Sequence, residues 1–252
     1  MLQSLEHFGR FTHFALMALP AALTAWRKPG ELWRQLYLIW LGAIPLGVVA
    51  GLALGFVVWI HLHGVVEPQF REKVPEIVAV AIVLEFAPLG AGLILAGRSG
   101  ASLGAELGSM KLNEQIDALE VLGLSSMKVL VGPRVLACMI TLPLLTILMA
   151  YIAVGSSYLA EFLGGSMWWS EYERCVLRGL TGPSVGPVKI VLSTLKTVVF
   201  GYLVAVAGCY VGMNASGGTE GVGVAATRGV VASIFLVLVA NVFLVKLIEM
   251  VG

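Results

Sequence analysis

The groups in this 252-residue chain that could carry chemistry are few and scattered. Glu85 and Lys196 each stand inside a long apolar run, and charges at such depth either neutralise one another or face a cavity. His61 and His63 share the tripeptide HLH, but positions two apart face away from each other on a helix. No third metal ligand lies near, so they read as interfacial histidines rather than a metal pair. Residues 217–223 spell GGTEGVG ahead of an apolar run. Such a loop can cradle a phosphate, and a tight turn is the plainer reading. Cys138, Cys175 and Cys209 lack metal-type spacing and are expected as free thiols, two of them in apolar surroundings. No nucleophile beside a base, no metal set and no carboxylate pair at one depth occurs. The sequence therefore offers no catalytic or metal residue and no membrane enzyme acting on lipids.

One compact segment concentrates charge. RSGASLGAELGSMKLNEQIDALEVLG begins at Arg98 and contains Glu106, Glu114, Asp117 and Glu120. Its first half repeats glycine at every fourth position, Gly100, Gly104 and Gly108. On a helix these form a smooth ridge that lets another helix approach closely. In its second half Asn113 has the chemistry of an N-cap, Glu114 and Asp117 offset the helix dipole, and Gly123 supplies a stop. A short helix over 113–123 is the expectation. At ~100° per residue, Leu112, Ile116, Leu119 and Leu122 share an apolar face, while Val121 falls among Asn113, Glu114, Asp117 and Glu120. An apolar residue amid carboxylates suits a groove on another protein, and a solvated acidic face needs no partner at all. Periodicity leaves both readings open.

The elements that position these residues are membrane helices. Charged residues make up 12% of the chain and hydrophobic ones 58%, with a mean hydropathy of +0.93. Soluble domains carry roughly 25% charge. Five apolar runs are long enough to cross a bilayer, at about 37–60, 77–97, 135–160, 190–213 and 229–251. A shorter run at 11–26, interrupted by Pro20 and bracketed by Arg10, Arg27 and Lys28, fits an amphipathic helix lying in the interface. The fold class is thus an all-α integral membrane protein, one domain over 1–252. Arg10, Arg27, Lys28, Arg34, Arg98, Lys111, Lys128, Arg134 and Arg228 gather on one side. The positive-inside rule makes that side, with the N-terminus, cytoplasmic and puts the C-terminus outside. Arg228 should cap the start of the fifth span. The longest outer segment, 161–189, should fold in part as a surface helix behind Trp168 and Trp169. A net charge of +1 with no basic stripe gives no footprint for nucleic acid.

The run GRSGASLGAELGSMKLNEQIDALEVLG, followed by PRVLA, resembles the signature of MlaE-type permeases, the membrane subunits of lipid-transporting ABC systems. LEFAPLGAGLILAG, TLKTVVFG and GGTEGVGVAATRGVVAS extend the resemblance over roughly residues 35–250. It implies a homodimer in the bacterial inner membrane, working with two copies of a separate cytoplasmic ATPase that binds the ATP and Mg. No GxxxxGK[ST] phosphate loop occurs in this chain, in keeping with a non-catalytic subunit without a cofactor of its own. By the resemblance, the acidic helix is the coupling helix that docks in the ATPase, with Glu114, Gln115, Asp117, Leu119 and Glu120 making the contact. The outer face of the dimer would pass phospholipid to or from a periplasmic MCE-domain protein.

Two positions depart from the family pattern. Leu84 stands where members often have Arg before the span-two Glu, and Asn241 stands where many have an acidic residue in span five. Both changes remove charge from the expected lipid cavity. Glu85 and Lys196 then carry two open readings, an ion pair holding spans two and four together or the lining of a headgroup cavity. A rival function, an ion-coupled secondary transporter built on that same pair, would call for inverted repeats and broken helices, which the five spans lack.

Overall fold

The computed structural model describes residues 2–164, 167–182 and 185–251; part of the predicted outer segment 161–189 lies outside them. Helix dominates, and no strand occurs among the described residues. The elements are α1 (Leu2–Thr24), α2 (Pro29–Val65), α3 (Val74–Ala81), α4 (Ala87–Leu112), α5 (Gln115–Val121), α6 (Gly132–Leu163), α7 (Trp169–Thr181), α8 (Gly186–Met213) and α9 (Gly218–Val251). A π turn at Ile82–Phe86 joins α3 to α4, so helix runs unbroken from Gln69 to Leu112, and a second π turn at Met127–Val131 leads into α6.

Five of these helical runs are long and apolar enough to cross a membrane: Pro29–Val65, Gln69–Leu112, Met127–Leu163, Gly186–Met213 and Gly218–Met250. Each covers nearly all of one of the apolar runs read from the sequence and begins before it, because polar helical ends do not register in a hydropathy window. At the start of a run the difference is largest for α9. It begins at Gly218, so Arg228 lies well inside the helix instead of capping its start. Gly217 and Gly218, both with positive φ, make the turn that precedes it.

Two compact units are built from these helices, and each long helix contributes residues to both. The first comprises Met1–Gly42, Gly92–Leu142 and Val198–Val239. Its core includes Leu95, Leu103, Leu107, Val131, Val135, Phe200, Val204 and Val237. Here α1 buries a face of Ala18, Ala21 and Ala22 and turns Leu16, Leu19 and Leu23 outward. Gly132 lies directly against the carbonyl of Ala21, where a β-carbon would not fit. A helix with a small-residue face inward and leucines outward is suited to an apolar medium.

The second unit comprises Ala43–Ala91, Pro143–Thr197 and Ala240–Gly252. Gly47, Gly51 and Gly55 form a ridge on α2 that meets Leu145, Met149, Ile152 and Ala153 of α6. Ser156 Oγ closes this seam by donating to the Leu52 carbonyl at 3.1 Å. The small-xxx-small spacing in PLGVVAGLALG is the sequence signal for this approach. α7 packs on α3 through Tyr172 and Val176, and Gly179 sits against Glu76. The Tyr172 hydroxyl donates to the Val154 carbonyl at 3.0 Å and shares a 2.6 Å hydrogen bond with Ser157.

Candidate functional site

Two places concentrate polar chemistry, one in each unit. In the second unit Pro88 has no N–H, so the carbonyl of Leu84, four residues earlier, loses its helical donor. The π turn around Glu85 loosens the same stretch: the N–H of Ala87 reaches back to Ile82. In hydrocarbon an unpaired carbonyl must find another partner. Ser193 Oγ donates to it at 2.5 Å and Lys196 Nζ at 3.0 Å. Lys196 also reaches Glu85 Oε1 at 2.9 Å. The ammonium side chain is 1% exposed and the carboxylate 41%. The pair is therefore asymmetric: a buried cation on two fixed oxygens, and an anion with one side open. Leu84 takes part through its backbone, its side chain being half-buried. Asn241 of α9 is half-buried as well, and its Oδ1 finds no partner among the described residues.

In the first unit, α5 is largely exposed. It differs from the helix expected at 113–123 at its start and on its faces. Asn113 does not cap it, because its side-chain amide turns back to the Ser109 carbonyl at 3.0 Å and finishes α4. Glu114 occupies the N-cap position in a left-handed conformation, φ 55°. The end is a Schellman motif: Gly123 (φ 73°) donates to Glu120 O, and Leu124 donates to Leu119 O. Of the expected apolar face, Ile116 is buried and Leu119 half-buried, while Leu112 and Leu122 are exposed. Seven residues make two turns, enough to seat one side chain firmly. Val121 is 87% exposed beside Leu122.

The acidic residues around it are not equivalent. Lys111 Nζ holds Asp117 at 2.6 Å, and Ser126 Oγ donates to Glu120 at 3.1 Å. Glu114 and Gln115 are exposed. Glu106 is no part of this face. It accepts from the Arg134 guanidinium at 2.6 Å, and Arg134, 3% exposed, also donates to the Leu130 carbonyl at 2.7 Å. This clamp ties α4 to α6 at the base of the segment that carries α5. The sequence reading missed it because Glu106 was grouped with its acidic neighbours; a lone arginine opening the apolar run of α6 was the available signal.

Gly100 and Gly104 bring α4 against α9, where added β-carbons would come within 3.0 Å of Gly229 O and 2.8 Å of Ala225 O. Gly208 and Gly212 of α8 meet Leu103 and Leu107 of α4, and Gly108 faces Ala215 and Ala225. The remaining singled-out groups are accounted for locally. His61 Nδ1 lies 2.8 Å from the Val57 carbonyl, and His63 stacks on Trp59 at 4.6 Å. Cys138, Cys175 and Cys209 are free thiols, the first and last buried.

Comparison with known proteins supplies the context. A family model described as Permease MlaE matches residues 32–247. A probable ABC transporter permease protein of Rickettsia prowazekii is 30% identical over 243 residues, 96% of this chain and 92% of the relative. A probable ABC transporter permease protein of Synechocystis is 30% identical over 168 residues, 67% of this chain and 62% of the relative. The chloroplastic protein TRIGALACTOSYLDIACYLGLYCEROL 1 of Arabidopsis thaliana is 32% identical over 165 residues, 66% of this chain and 46% of the relative.

Proposed function

Since the chain belongs to the MlaE permease family, we propose that it is the membrane subunit of an ABC transporter that moves phospholipid or a related lipid between the inner membrane and a periplasmic MCE-domain partner. Two copies form the permease, and two copies of a separate ATPase hold the ATP and Mg²⁺ and supply the energy. The names carried by its bacterial relatives support the ABC assignment, and the glycolipid in the name of the Arabidopsis relative favours a lipid cargo.

The observation that carries this reading is α5. An exposed Val121 among Glu114, Asp117 and Glu120, with exposed Leu122 next to it, offers an apolar anchor with an acidic rim. Such a helix seats its apolar residues in a groove while the charges orient it. The Lys111–Asp117 and Ser126–Glu120 contacts hold the rim in shape before binding. Movement of the ATPase pair passes through α5 into α4 and α6 by way of the Arg134–Glu106 clamp. Glu85 and Lys196 then line the lipid path, with the open side of the carboxylate available to a headgroup.

The test is purification of the chain from its native membranes, followed by identification of bound chains and lipids. An ATPase subunit at equal stoichiometry, with phospholipid extracted from the complex, is the expected result. Transport that continues with a catalytically dead ATPase and follows an ion gradient would overturn the reading in favour of secondary transport.

A further inference from the structure

Arg98 makes a contact that the permease reading does not use. Its guanidinium lies on Gly42 of α2 and fills the space a β-carbon there would need. Glycine is therefore required at position 42 for the arginine to lie where it does. Arg98 is an exposed residue, and its guanidinium makes no hydrogen bond or ion pair with any described residue. Both residues belong to the first unit.

The depth of this contact gives it meaning. On α2, Trp33 and Tyr37 are exposed aromatics of the kind that settle at the headgroup level. Gly42 lies five positions further along, about 7.5 Å deeper at 1.5 Å per residue. Its exposed neighbours Leu38, Leu41 and Leu46 are those of a lipid-facing surface. Side chains on a helix lean toward its N-terminus. Arg98 on α4 is thus directed back toward the apolar run that precedes it, away from the polar end at Lys111 and Leu112. A guanidinium held there has five N–H donors and no acceptor among the described residues. An unpaired cation at the edge of hydrocarbon is costly, and the anion available at that level is a phosphodiester.

We propose that Arg98, seated on Gly42, binds the phosphate of a phospholipid headgroup at the inner-leaflet surface of the protein, a lipid site separate from Glu85 and Lys196. Planar guanidinium donors match two phosphate oxygens at once, which an ammonium does not reproduce. The inference needs only that α2 and α4 cross a membrane, so it stands or falls independently of the transport reading.

Native mass spectrometry on the intact purified protein tests it. The protein is stripped of lipid, then titrated with phosphatidylglycerol or with diacylglycerol of the same chains. The wild type should retain phosphatidylglycerol and not diacylglycerol, and R98Q should bind it about tenfold more weakly, the worth of one charge-assisted contact. R98K should fall between them. G42A, which displaces the guanidinium and leaves its charge, should weaken binding as well. Equal retention by wild type and R98Q overturns the proposal. Competition by inorganic phosphate at the same site would overturn a lipid source in favour of a free anion. A change from dimer to monomer in R98Q with lipid per chain unaltered would overturn it in favour of a contact with a second copy.

Discussion

Lys196 occupies the carbonyl that Pro88 leaves free. The proline withholds a donor from Leu84 O, and the lysine supplies one at 3.0 Å while holding Glu85 at 2.9 Å. A missing backbone hydrogen bond in one helix thereby fixes the position of a charge from another.

The asymmetry of that pair makes the two single variants unequal. Glu85→Gln leaves a buried ammonium without its counter-charge and should cost about 3 kcal/mol. Lys196→Met leaves a carboxylate that is 41% exposed, and should cost less. The double variant should recover part of the loss. Thermal unfolding in detergent reads all three, and a larger loss for Lys196→Met would contradict the geometry.

Val121→Asp should separate partner binding from folding. The side chain is 87% exposed, so stability should stay within ~0.5 kcal/mol of wild type. Co-purification of the ATPase should be lost, because the apolar anchor becomes a charge among charges. Retained co-purification would remove α5 from the coupling interface.

Gly104→Ala should be costly for its size. The new β-carbon would stand 2.8 Å from the Ala225 carbonyl, and both sides of the contact are backbone with no rotamer to yield. A loss of about 1 to 3 kcal/mol follows, seen as a lower unfolding temperature. Gly223→Ala on α9, where nothing lies within 4 Å, should be neutral or stabilising.

α7 should show an alkaline transition. Burial pushes the Tyr172 phenol up to about 12 from its ordinary 10.0, outweighing the opposing hydrogen bond from Ser157. The neutral form is favoured in the fold, so its stabilisation is whole below pH 10 and is lost as pH rises through 12. The loss is about 3 kcal/mol. Fluorescence of Trp169, whose ring lies 6.3 Å from Tyr172, should report it. Tyr172→Phe should flatten the pH response and cost about 1 kcal/mol at neutral pH for the lost Val154 contact.

Much of this architecture was legible because hydrocarbon simplifies the rules. Five long apolar runs admit few alternatives to five helices, and Glu85 and Lys196, opposite charges in two of them, meet at 2.9 Å. Gly123 also marked its helix end correctly, since a left-handed residue after a leucine-rich turn is a local matter. Local rules failed where a second contact competed. Asn113 had the chemistry of an N-cap, but its side-chain N–H donates back to Ser109 O and turns the amide away from α5. Glu106 looked like one of four acids of a single compact segment, yet its partner Arg134 lies 28 positions away. The apolar stripe expected on α5 needs a helix longer than its seven residues. α9 starts earlier than its apolar run because only Gly217 and Gly218 of the glycine-rich loop leave helical geometry.

The meeting of α4 with α9 at Gly100, Gly104 and Gly229 has a mechanical consequence. Helices joined by large side chains interlock, and a shift along the axis must lift each knob out of its hole. Where peptide backbone rests on peptide backbone there is contact without teeth. Such a joint resists separation and compression, yet offers little friction to sliding.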